Sequence, residues 1–250
     1  MSNEYLLEIC ANSVKSCVEA QKGGAYRVEL CAGIPEGGTT PSYGDIILAR
    51  QLLNIKLNVI IRPRGGDFLY DDLEHKIMLQ DIKNAVNLGA DGVVFGCLTA
   101  DGDIDIKRNK ELIEAAGDLS VTFHRAFDMC KDPFVALEKI IELGFDRILT
   151  SGQKPKAAEG VSLLKELVRK AGDRIIIMPG SGVNAENIAF LAKETGAKEF
   201  HLSARESIES GMLYRNPGLK MGGTRVVINE FEEQVTSSEI VRKTIEALQR

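Results

Sequence analysis

The chain has no CxxC and no HxxxH, and its five cysteines, at positions 10, 17, 31, 97 and 130, fall at no paired spacing. An odd, scattered set argues against a disulfide framework and for a reducing compartment, and it offers no structural zinc site. No apolar stretch reaches the roughly 18 residues that a membrane helix needs. Basic runs and aromatic-rich basic patches are missing as well, and the formal net charge is -5. Nucleic acid and anionic membrane surfaces are therefore poor partners. The opening MSNEYLLEIC carries Glu4 and Glu8 where a secretory signal would be basic. A cytoplasmic protein is expected.

What the chain does contain is an alternation. Of its 250 residues 44% are apolar and 27% charged, enough for a large core under an ordinary soluble surface. Strand-length apolar runs are predicted at 5–10, 26–31, 57–62, 92–96, 120–124, 146–150, 174–178 and 198–202. Helical 3.6-residue periodicity is predicted at 13–22, 44–53, 72–88, 107–116, 132–143, 158–171, 184–194 and 237–248. Gly89-Ala90-Asp91 and Gly144-Phe145-Asp146 punctuate helix-to-strand junctions, with the glycine suited to the left-handed cap. Eight βα units in this length predict an α/β protein, a single-domain (β/α)₈ TIM barrel over 1–250. Two connections exceed the usual length: 32–43, and 205–236, which is expected to be a long loop serving as a lid, an interaction surface or a tolerated insertion.

The active face of such a barrel is built from residues at the carboxyl ends of its strands. Side chains alternate across a strand, and the outward set must be apolar to meet the helices. That parity puts Glu8, Glu29, Arg62, His124 and His201 on the inner side, near the upper end. A buried ion-pair network, Glu8 or Glu29 with Arg62, would account for one pair of them; five at the functional end favour a ligand site. Arg62, Arg64 and Arg125 suit a carboxylate or phosphate. His124 and His201 could exchange protons beside Glu8 or Glu29. His75, on a helix, reads as a core residue.

The small residues after the sixth to eighth strands, Ser151, Gly180-Ser181-Gly182 and Ser203, would let backbone N–H groups approach an anion, with Asn184 as helix N-cap. A tight turn explains a Gly-Ser-Gly sequence equally well. Cys10 and Cys31 end neighbouring strands with the same inward parity, and parallel strands lie about 4.8 Å apart. Cys97 and Met178 end two further strands. Thiolates and thioethers are soft ligands that select Cu(I), whereas a lone buried cysteine is a small hydrophobe. Cys17 and Cys130 read as the latter.

The strings LEICANS, RVELCAG, EGGTTPSYG, IRPRGGDFLY, VTFHRAFD, RILTSGQ, PGSGVNAENI, FHLSAR and YRNPGLKMGG, in this order, resemble the CutC copper-homeostasis family from about residue 5 to 223. The resemblance implies a cytoplasmic TIM barrel, often a homo-oligomer, that binds Cu(I). The thiols it implies as ligands are Cys10 and Cys31. It implies no organic cofactor. The arginine, histidine and glutamate ring exceeds what a copper carrier needs. It leaves open the other reading, an enzyme acting by acid–base chemistry on a small anionic metabolite, a phosphorylated one included.

Overall fold

Short β-branched strands followed by amphipathic helices can bury both faces of a parallel sheet only by alternating with them, and the chain does so. A computed structural model describes residues 5–216, 218 and 229–249. The strands are β1 Leu6–Ala11, β2 Arg27–Leu30, β3 Lys56–Ile60, β4 Gly92–Phe95, β5 Ser120–Phe123, β6 Arg147–Thr150, β7 Ile176–Pro179 and β8 Glu199–Leu202. The helices are α1 Val14–Gly23, α2 Tyr43–Leu52, α3 Asp72–Asn87, α4 Ile106–Ala116, α5 Pro133–Leu143, α6 Val161–Ala171, α7 Ile188–Thr195 and α8 Ser238–Leu248. All eight strands form one parallel sheet, in the order β7-β6-β5-β4-β3-β2-β1-β8. Contact between β7 and β8 brings the two edges together, so the sheet is a nearly closed TIM barrel.

Local chemistry sets the helix starts. The Asp71 carboxylate accepts the Leu73 and Glu74 amides while the Glu74 side chain accepts the Asp71 amide, a reciprocal cap at the head of α3. Ser42 and Asp45 do the same for α2. At the other end, Gly144 follows α5 with φ 89°, the left-handed conformation expected of it. Asn184 caps a turn, its side chain accepting the Glu186 and Asn187 amides. α7 starts only at Ile188, so the helix predicted from 184 begins four residues later.

The alternation of side chains divides the interior in two. Leu7, Ile9, Val28, Leu30, Val59, Phe95, Phe123, Ile148 and Phe200 pack outward against the helices in the main core. The opposite parity faces the barrel axis. Near the mouth, Cys31, Ile60 and Val94 form a small separate apolar cluster, with Cys10 and Ile34 against it.

The segment 205–236 differs from the loop expected there. Arg205–Glu209 (β9) and Glu232–Thr236 (β10) form an antiparallel pair, with Arg205 opposite Thr236. The sequence RESIE…EEQVT is too charged to register as strand by apolar pattern. The pair is held from outside, since the Thr236 amide donates to Ser16 Oγ and Asn12 donates to the Gln234 carbonyl. Part of the YRNPGLKMGG motif, at 217 and 219–223, lies outside the described residues.

Candidate metal centre and barrel mouth

A line of charge runs through the barrel. His201 Nδ1 lies 2.7 Å from Glu8 Oε1. The other oxygen of Glu8 accepts from Arg27 Nε in a short ion pair. Arg27 Nη2 reaches Glu199 Oε2 at 2.6 Å, and Arg147 Nε reaches the same oxygen at 3.1 Å. All five residues are buried. The register explains the order, because Glu8 is the strand partner of both Arg27 on β2 and His201 on β8. Burial alone would raise the Glu8 pKa, but Arg27 and His201 overcome it and hold the carboxyl well below the usual range. Glu8 is thus a fixed anion, and its arginine is Arg27 rather than Arg62.

Above this line sits a second group. Cys10 Sγ and Cys31 Sγ are 3.7 Å apart. One donor atom each from Cys10, Glu29 and His201 lies within 4.8 Å of the others. His201 Nε2 is 3.8 Å from Glu29 Oε2, while Glu29 Oε1 is buried with no hydrogen-bond partner. Arg205 Nη2, at the start of β9, donates to Cys10 Sγ at 3.4 Å. Burial pushes the Glu29 carboxyl up to about 8. For His201, burial lowers the pKa, but contacts with Cys10, Glu29 and Glu8 raise it well above the histidine norm. Cys10 is raised by its hydrogen bond with Cys31 and by burial. At neutral pH Cys10, Glu29 and His201 therefore rest protonated.

These positions can offer a soft metal two sulfurs, an imidazole nitrogen and a carboxylate oxygen. The Nδ1 hydrogen bond to Glu8 orients the His201 ring and leaves Nε2 toward Glu29 and Cys10, as a carboxylate does for a metal-ligating histidine. The donor set fits a copper ion.

The other expected residues are placed as follows. Arg62 is buried at the end of β3, its guanidinium donating to the carbonyls of Glu36, Gly38 and Gly66. His124 is buried beyond β5; burial and the nearby Arg62 charge hold it down to about 3, so it is neutral. Arg64 turns to Glu74 and Asp67 on the surface. Arg125 and Ser151 do meet an anion, and it is the protein's own: the Asp128 carboxylate accepts from Arg125 Nε, Ser151 N, Ser151 Oγ, Gln153 N and Thr150 Oγ1. Ser181 Oγ donates to the Pro155 carbonyl, and the Ser203 carbonyl accepts from Thr236. Gly182 lies beside Lys156, whereas Gly180 packs against His201. Cys97 belongs to the outer core, and Met178 Sδ meets Arg27, so neither joins the thiol pair. His75 is buried with Nε2 2.7 Å from Glu111.

Arg147, Glu199 and Asp128 were not singled out from sequence. Inward parity would have found Arg147 and Glu199, which share a face with Leu149 and His201. Nothing local marks Asp128 as the clasp of a loop more than 20 residues away.

A profile of the CutC family matches residues 5–206. This chain belongs to the CutC family. A CutC family protein of Bacteroides fragilis is 62% identical over 245 residues, covering 98% of this chain and 97% of that protein. The mouse copper homeostasis protein cutC homolog is 48% identical over 240 residues, covering 96% and 88%. A CutC crystal structure from Streptococcus agalactiae superposes with a TM-score of 0.77 at 41% identity, covering 80% of this chain and 98% of that one. Thiamine phosphate pyrophosphorylase from Pyrococcus furiosus, at 18% identity and a TM-score of 0.59, shares the fold alone. Membership of a copper-homeostasis family and the TIM barrel are thus established together. No helix among the described residues is long and apolar enough to cross a membrane.

Proposed function

We propose that this chain binds Cu(I) through the thiolates of Cys10 and Cys31, with His201 and Glu29 at the same site, and that it serves copper homeostasis in the cytoplasm. The observation that carries the reading is the 3.7 Å approach of the two sulfurs beside a histidine whose far nitrogen is held by a carboxylate. A soft monovalent ion suits sulfur better than a hard cation does. Because Cys10 rests protonated, binding releases a proton, and affinity rises with pH. Cu(I) titration against a competing chelator, under anaerobic reducing conditions, tests the proposal. Parent protein is expected to bind one ion per chain, and Cys10→Ser and Cys31→Ser to lose most of that affinity. His201→Ala should lose less, on the order of 10–100-fold. Equal weak binding by the parent and all three variants would remove the copper assignment.

Acid–base catalysis on a small anionic metabolite is the second reading, and Glu29 favours it: a buried, protonated carboxyl with a free oxygen is a general acid waiting for a partner. Self-association, expected from the family resemblance, belongs to the same proposal and is checked by light scattering.

A further inference from the structure

We infer that the flank of the barrel mouth formed by the ends of β3 and β5 binds a small carboxylate anion through Arg62 and His124. The site does not depend on copper.

Arg62 is 5% exposed, and its guanidinium is engaged by three backbone carbonyls. Carbonyls satisfy N–H groups but leave the positive charge uncompensated. Among the described residues no carboxylate pairs with it, and its Nε–H is buried without a hydrogen bond, as is the neighbouring Tyr70 hydroxyl. A buried cation of this kind requires a counter-charge.

His124 supplies a second donor. Its Nδ1 accepts the Ala126 amide at 3.3 Å, so the proton of the neutral ring sits on Nε2. That Nε2 is also buried without a partner, although the residue is only 3% exposed. Phe68 places both groups at one locus: its ring centroid lies 5.2 Å from the Arg62 guanidinium carbon and 4.8 Å from the His124 ring. Between them lies Gly96, the residue after β4, where a Cβ would come within 3.0 Å of His124 Nδ1. At that position the intervening segment therefore contributes no side chain.

Two single donors beside one uncompensated positive charge match the two oxygens and one charge of a carboxylate. A neutral sugar or amide would leave the guanidinium unpaired. A phosphate carries more acceptor oxygens than these donors meet. The half-buried Phe68 ring, resting on both donors, is the group such a ligand would displace.

Isothermal calorimetry with acetate, malonate and succinate, and with inorganic phosphate as control, tests this on the intact chain. At least one carboxylate should bind the parent. His124→Phe should weaken that binding about tenfold or more, since one charge-assisted hydrogen bond is lost. His124→Gln, whose amide can replace the donor, should restore it to within a few-fold. Cys10→Ser should bind the carboxylate as the parent does, which separates this site from the copper reading. Arg62→Lys should also bind weakly; because Arg62 ties down its loop, the histidine pair decides the matter if that variant does not fold. Absence of carboxylate binding in folded parent, unchanged binding in His124→Phe, or binding of phosphate alone would each overturn the inference.

Discussion

His201 Nδ1 and Glu8 Oε1 stand 2.7 Å apart inside the barrel, joining two residues 193 positions apart in the chain. This one hydrogen bond couples the barrel's ion-pair line to the thiol group above it. Glu8 holds Arg27 with one oxygen and His201 with the other, so whatever disturbs Glu8 disturbs both levels.

Glu8→Gln should therefore be severe. It leaves Arg27 with Glu199 alone and frees the His201 ring. Removing one member of a buried pair costs about 3–5 kcal/mol. Urea denaturation should show a loss of that order, and a change below about 1 kcal/mol would mean that the line contributes little.

A double-mutant cycle separates charge from packing lower in the barrel. Glu199 accepts from both Arg27 and Arg147. Glu199→Leu and Arg147→Leu should each destabilise strongly, and the double variant should be more stable than the sum of the two, with coupling on the order of 1–3 kcal/mol. Additivity would show that the two side chains do not interact.

Stability should depend on pH in opposite senses at the two ends of the scale. Glu8 has a folded pKa below its ordinary 4.5, so its contribution is present above that value and is lost as pH falls through the lower folded one. Glu29 is raised from 4.5 to about 8, so the folded state binds the extra proton between those values. Its contribution is complete below 4.5 and is lost as pH rises through about 8. His201, raised above 6.5, acts in the same sense. Stability should accordingly fall from neutral toward alkaline pH, at up to about 1.4 kcal/mol per pH unit for each proton involved. Glu29→Gln should flatten that slope. A parent whose stability is flat or rising from pH 7 to 9 would contradict the assignment.

Asp128→Asn keeps the shape of the clasp but removes its charge. Arg125, Ser151 and Gln153 each donate to that carboxylate. A loss of about 1.5–3 kcal/mol is expected by thermal denaturation, with faster proteolysis near residue 153.

Parity was the most productive guide to the interior. From strand alternation alone, Glu8, Cys10, Glu29, Cys31 and His201 were expected on one inner surface, and the structure brings them together. Arg62 and His124 also face inward but form a second flank with Phe68. Arg64, four residues past the end of β3, follows the loop to Glu74. Alternation holds only while the backbone stays extended, which is why residues past a strand's end were the least legible. The β9–β10 pair escaped notice for a related reason: its strands are polar on both faces and are recognised only by where they dock.

The amino-acid order alone determined the succession of strands and helices, because hydrophobic period and capping residues act over a few neighbouring positions. It also determined which side of each strand would be polar, since backbone geometry imposes that alternation. The partners were decided by the tertiary structure. Strand register set Glu8 between Arg27 and His201, barrel closure brought β8 beside β1, and a carboxylate on the turn after β5 took the anion position beyond β6. Such pairings depend on three-dimensional proximity between groups distant in the chain, and no local pattern encodes it.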